Sequence, residues 1–133
     1  MKRVFVDTSA LYALLDADDR KHRVSLRTFD RLATDAAELV TTSYVLVETH
    51  ALVQRRLGMA AVADLHREVS PLLDVVWVGR SLHEAGLERL MEARRRHLSL
   101  VDCVSLALIE RDQLDGAFAH DRQFSQAGVS LIR

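Results

Sequence analysis

At 133 residues, with 49% hydrophobic and 28% charged side chains, the chain has ordinary globular proportions, which excludes a disordered or low-complexity protein. A chain of this length buries roughly two-thirds of its unfolded surface, so residues 1–133 are expected to form a single domain around one core. Eighteen basic against nineteen acidic residues leave a net charge of −1, which excludes a polycation that coats nucleic acid through bulk charge.

The first predicted element is a strand at residues 3–6 (RVFV). Lys2 and Arg3 ahead of the apolar stretch at Val4 imitate a secretion signal, but Asp7 cuts that stretch short and no signal peptide is expected. TSALYALLDADD then has helical spacing at Leu11, Leu14 and Leu15. A second helix runs from Asp19 to Thr34, followed by a short strand from Leu39 to Thr42. Ser43 is expected to cap a helix from Tyr44 to about Leu57 that Gly58 ends, and another helix runs from Met59 to Val69 before Pro71. Asp74 to Val78 (DVVWV) gives the strongest strand signal, and Ser81 to Arg95 is amphipathic. Ser99 opens a helix through about Arg111, GAFAH at 116–120 is a small buried strand, Asp121 to Gln126 is a helical turn or two, and Val129 to Ile132 is the last strand. Trp77 and Phe118, lying in strands, are expected in the core.

Short strands alternating with helices imply crossover connections and a mainly parallel sheet covered on both faces, a three-layered α/β fold. Five Gly and one Pro are too few to punctuate a β-sandwich or barrel. The single cysteine, Cys103, rules out an intramolecular disulfide and a thiolate zinc cluster, and fits a reducing cytoplasm. No uncharged apolar run approaches the ~18 residues of a membrane span.

Four carboxylates fall where a strand ends or where the apolar pattern does not ask for charge. Asp7 follows the first strand, Glu48 lies in TSYVLVETHALV, Asp102 in LSLVDCVSLALI, and Asp121 follows GAFAH. Each has a plain structural explanation. Asp7 and Asp121 stand where helix N-caps belong, Ser99 and Asp102 match a capping box, and Glu48, ringed by apolar residues, would need a salt bridge. Jointly they say more, because ligands of open α/β sheets bind beyond the carboxyl ends of the strands, where Asp7 and Asp121 emerge. Carboxylates gathered there repel one another unless a cation neutralises them, and an all-oxygen site suits Mg²⁺ or Mn²⁺. Those metals serve phosphodiester chemistry, so a metal-dependent nuclease is the chemistry expected.

VFVDTSAL, the Glu in VLVETHAL, LSLVDCVSLALI and AFAHDRQFSQAGV, in that order and spacing, resemble the PIN-domain ribonucleases, especially the VapC-like toxins of toxin–antitoxin pairs, over nearly the whole chain. The resemblance implies a three-layer α/β/α fold and an endoribonuclease using Mg²⁺ or Mn²⁺. It makes Asp7, Glu48, Asp102 and Asp121 the catalytic, metal-holding set and gives Thr8 or Ser9 the orienting of a carboxylate or metal-bound water. It also implies a cognate antitoxin, whose Arg or Lys is expected to reach the acidic crevice. The apolar helix from Ala10 to Leu15 is the expected surface for that partner or for a homodimer.

Arg94, Arg95 and Arg96 form the one basic run, read either as a solvated helix end or, with Arg122, as a clamp on RNA phosphates. Two alternatives are an RNA-processing nuclease without a toxin role and a non-catalytic binding module. An aspartyl-phosphate enzyme is disfavoured because Lys2 and Lys21 are misplaced for it. The histidines at 22, 50, 66, 83, 97 and 120 lack zinc-hydrolase spacing.

Overall fold

A computed structural model describes residues 2–94 and 97–133. Five strands, β1 (Arg3–Val6), β2 (Glu38–Thr42), β3 (Asp74–Val76), β4 (Gly116–Phe118) and β5 (Leu131–Ile132), form one all-parallel sheet in the order β3-β2-β1-β4-β5. In the central strand Val4, Phe5 and Val6 are fully buried, the uninterrupted apolar run that a strand covered on both faces requires. Phe5 stands opposite Val40 of β2 and Ala117 of β4.

The helices are α1 (Thr8–Leu15), α2 (His22–Thr34), α3 (Ser43–Leu57), α4 (Met59–Asp64), α5 (Arg80–Ala93), α6 (Leu100–Asp112) and α7 (Arg122–Gln126). From β1 the chain steps outward through β2 to β3, then crosses back to β4 and on to β5. Right-handed crossovers therefore put α1 to α4 on one face and α5 to α7 on the other. The packing agrees: α1 lies on α2 and α3, whereas α5 lies on α6. The strand order reverses between β1 and β4, which makes the crevice beyond their carboxyl ends the place for a ligand.

Several elements differ from the sequence expectation. β3 ends at Val76, and Trp77 is 75% exposed instead of core. The reason is its edge position: β3 pairs only with β2, and beyond Val76 the chain turns away as Val78 N donates to Ser43 Oγ at 2.9 Å. With Ser43 so engaged, Thr42 is the N-cap of α3, its hydroxyl accepting from Val45 N at 3.1 Å. The helix expected from 59 to 69 is regular only to Asp64, then widens into a π-turn (Leu65–Val69) and tightens into a 3₁₀ turn holding Pro71.

The expected docking surface on α1 is reduced, since Leu11 and Tyr12 are buried while Leu14 and Leu15 are half-buried. Tyr12 packs with Val53 and Leu65, lies under the Arg56 guanidinium and donates its hydroxyl to Asp16 at 2.8 Å. The surplus apolar residues of α1 are consumed by α2, α3 and the π-turn.

Gly86 lets α5 approach α6 closely: a Cβ there would stand 2.4 Å from Val104 Cγ2 and 3.0 Å from its Cα. Gly86→Ala is therefore expected to lower the melting temperature, because overpacking costs roughly 1–3 kcal/mol and exceeds the ~1 kcal/mol that alanine adds to a helix interior. A melting temperature at or above that of the wild type would contradict this packing.

Candidate functional site

Asp7 leaves β1 and caps α1, its Oδ2 accepting from Ser9 N at 3.2 Å and from Ser9 Oγ at 2.7 Å. Ser9 Oγ in turn accepts from His120 N at 2.9 Å, and Asp7 N donates to Phe118 O at 3.1 Å. The ends of β1 and β4 are thus tied together at the switch point, around a carboxylate that is 2% exposed. Burial pushes the Asp7 carboxyl up to about 7; the Ser9 bonds oppose this, and Asp121 and Asp102 add to it.

Asp102 is the third residue of α6 and completes the expected capping box: Ser99 N donates to its Oδ2 at 3.2 Å while its own N donates to Ser99 Oγ at 3.0 Å. Oδ1 has no hydrogen-bond partner among the described residues. Asp121 holds the N-cap position of α7, but its side chain makes no capping bond, so the structural explanation fails for it. Its pKa is raised by burial and then by Asp102.

Glu48 lies on the second turn of α3 and corrects the expectation that this stretch is enclosed, since Val47, Glu48 and Ala51 are exposed. Among the described residues no salt bridge holds it. Partial burial of the carboxyl raises its pKa, the nearby Thr8 hydroxyl offsets part of this, and Asp102 and Asp121 raise it further. Thr49 Oγ1 lies 2.7 Å from Val45 O and 3.1 Å from Thr8 Oγ1, fixing the threonine beside Glu48.

The four carboxylates therefore lie on the same side of the sheet's switch point, each within electrostatic reach of others. Among the described residues none is paired with an Arg or Lys, and no three His, Cys, Asp or Glu are drawn together tightly enough to form a ready-made metal cage. Mg²⁺ needs no such cage, since it keeps several waters and is held through one or two carboxylates. An oxygen-only, uncompensated donor set fits that ion.

Two residues that the sequence did not single out belong to this site. Gln123 Nε2 donates to Asp102 Oδ2 at 3.4 Å, and Thr49 supports Thr8. Both lie inside the stretches that carry the acids, but no spacing rule marks them. Of the arginines, Arg94 is exposed and ends α5 in the left-handed region (φ 52°), Arg122 is exposed beside Asp121, and Arg95 and Arg96 lie outside the described residues.

Ser9 holds Asp7 by two bonds and carries no charge. Ser9→Ala is expected to slow catalysis by about 10–100-fold, the usual cost of losing an outer-shell partner, and to leave His120 N–H unpaired. Rates equal to the wild type would remove Ser9 from the machinery.

The family model described as PIN domain matches residues 4–129. The chain is 35% identical over 131 residues, 98% of both chains, to the "23S rRNA-specific endonuclease VapC20" of Mycobacterium tuberculosis, and 21% identical to "Ribonuclease VapC1" of Aquifex aeolicus over 98% of this chain and 90% of the relative. The crystal structure of VapC20, described as a sarcin-ricin loop cleaving toxin, superposes with a TM-score of 0.84 at 33% identity over 96% of each chain. The fold also matches VapBC2 from Rickettsia felis, with a TM-score of 0.71 at 14% identity over 97% of this chain and 96% of that one.

Proposed function

The chain belongs to the PIN-domain family, and from that premise we propose that it is a Mg²⁺- or Mn²⁺-dependent endoribonuclease, the toxin of a toxin–antitoxin pair. The observation that carries the chemistry is the set of four carboxylates at the β1/β4 switch point without a cationic partner among the described residues. A bound divalent cation supplies charge neutralisation for the phosphodiester and makes water a nucleophile at neutral pH. Asp7, Glu48, Asp102 and Asp121 would hold it, some directly and the others through its waters, while Ser9 bonds to Asp7, and Ser99 and Gln123 bond to Asp102.

The likeness to VapC20 over almost the whole chain supports RNA as substrate, with 23S rRNA the first RNA to test. It also supports the antitoxin partner, since VapC20 is described as a toxin. In this reading a guanidinium or ammonium of the antitoxin enters the acidic crevice and competes with the metal. Among the described residues no helix is long and apolar enough to cross a membrane, and the reading places the enzyme in the cytoplasm, with its RNA. It includes a homodimer whose seam draws on surface other than the buried Leu11 and Tyr12.

Expression of the wild type in bacteria is expected to arrest growth and to create new 5′ ends in 23S rRNA, whereas Asp7→Asn does neither. Harmless high-level expression of an enzyme that cuts RNA when purified would remove the toxin role and favour an RNA-processing nuclease.

A further inference from the structure

Beside the acidic crevice lies an open groove of about 650 Å³, lined by His120, Arg122, Ser125, Ser130, Leu131 and Arg133. Its volume falls within the ~300–1,000 Å³ of ordinary ligand sites. His120 and Arg122, the residues on either side of Asp121, line the groove, which places it next to the acidic set.

Two arginines from different elements line this groove. Arg122 opens α7 and Arg133 follows β5. Among the described residues neither arginine forms an ion pair. His120 Nε2 is 2.7 Å from Ser25 Oγ, while its buried Nδ1 has no partner among the described residues. Two arginines that line one groove and make no ion pair are available to an anion.

We propose that this groove is a phosphate-binding subsite that holds the RNA backbone on the β5 side of the acidic crevice, with Arg122 and Arg133 as its phosphate contacts. The inference rests on the endoribonuclease reading and adds the means by which an acidic centre retains a polyanion. A centre made of carboxylates repels the strand it must cut, so affinity has to come from cations flanking it. RNA fits better than a protein segment because the apolar lining is restricted to the half-buried Val129 and Leu131, too little to anchor a helix or strand.

The test is binding of a fluorescent single-stranded RNA oligonucleotide across a salt series, in an Asp7→Asn background so that binding is read without cutting. Adding Arg122→Ala and Arg133→Ala together is expected to weaken binding about tenfold or more at low salt. The slope of log K against log[salt] should flatten by about 1.4, since each single-strand phosphate contact contributes about 0.7. Both side chains are exposed, so the melting temperature should not change. Lysine at both positions keeps the charge and is expected to keep the slope. Unchanged affinity and slope in the double alanine variant overturn the proposal. So does loss of affinity for an acidic peptide with RNA binding intact, which would give the groove to a protein partner. If the wild type cuts RNA while the double variant binds like its parent, the subsite fails and the nuclease reading stands. If RNA binds through these arginines but the wild type never cuts it, the nuclease reading fails and the subsite stands.

Discussion

Asp7→Asn is expected to abolish RNA cleavage and at the same time to stabilise the metal-free protein. Asparagine caps a helix as well as aspartate and keeps a side-chain oxygen for the Ser9 bonds, so α1 retains its start. What is lost is the buried charge. For catalysis the loss should exceed the ~10–100-fold typical of an outer-shell partner, because the substitution removes a direct ligand of the proposed cation. For stability the change is favourable, because burial and the charges of Asp121 and Asp102 all oppose an ionised Asp7. Single-turnover cleavage and thermal melting in EDTA read the two effects. If the variant fails to fold, Asp7 is chiefly a cap; if it cuts normally, it is no ligand.

In EDTA the wild type is expected to lose stability as pH rises between about 4 and 7. The folded-state pKa of Asp7, about 7, lies above the ordinary value of 3.8, so in this window the native state keeps a proton that the unfolded chain has released. Its contribution is fully present below the unfolded value and is lost as pH rises through about 7. A displacement of that size corresponds to about 4 kcal/mol for a group so deeply buried. Glu48 and Asp121 are raised too and act in the same direction. Asp16, lowered first by the Tyr12 hydroxyl, and Asp112, lowered first by Arg111, act oppositely and make their loss of stability an acid-side event. Urea unfolding at pH 5 and pH 8 should therefore show a decline in the wild type that Asp7→Asn largely removes. Mg²⁺ at pH 8 should restore stability by binding the folded state alone. Stability that rises across this window, or the same slope in both proteins, would contradict the buried-charge reading of Asp7.

The sequence carried the alternation of strands and helices because RVFV and GAFAH are short, dense apolar runs that stop at an acid, while the helices between them announce their ends through Ser99, Gly58 and Pro71. It also marked Asp7 and Asp121, which follow β1 and β4 where polarity is otherwise unexplained. It failed where burial depends on partners distant in sequence. The apolar residues of α1 read as surplus until the π-turn and α3 are seen around Tyr12, and DVVWV reads as a full strand until β3 proves to be an edge. Glu48 shows the opposite error: counting apolar neighbours along the helix enclosed a residue that the fold leaves exposed. The bond from His120 N to Ser9 Oγ spans 111 residues, and no local pattern announces it.

The decisive measurement is RNA cleavage by the purified protein in excess EDTA, followed by restoration of Mg²⁺ or Mn²⁺. The expected result is no cutting in EDTA, full recovery with metal in the wild type, and none in Asp7→Asn. Cutting that proceeds equally well in EDTA would show that the four carboxylates do not work through a cation.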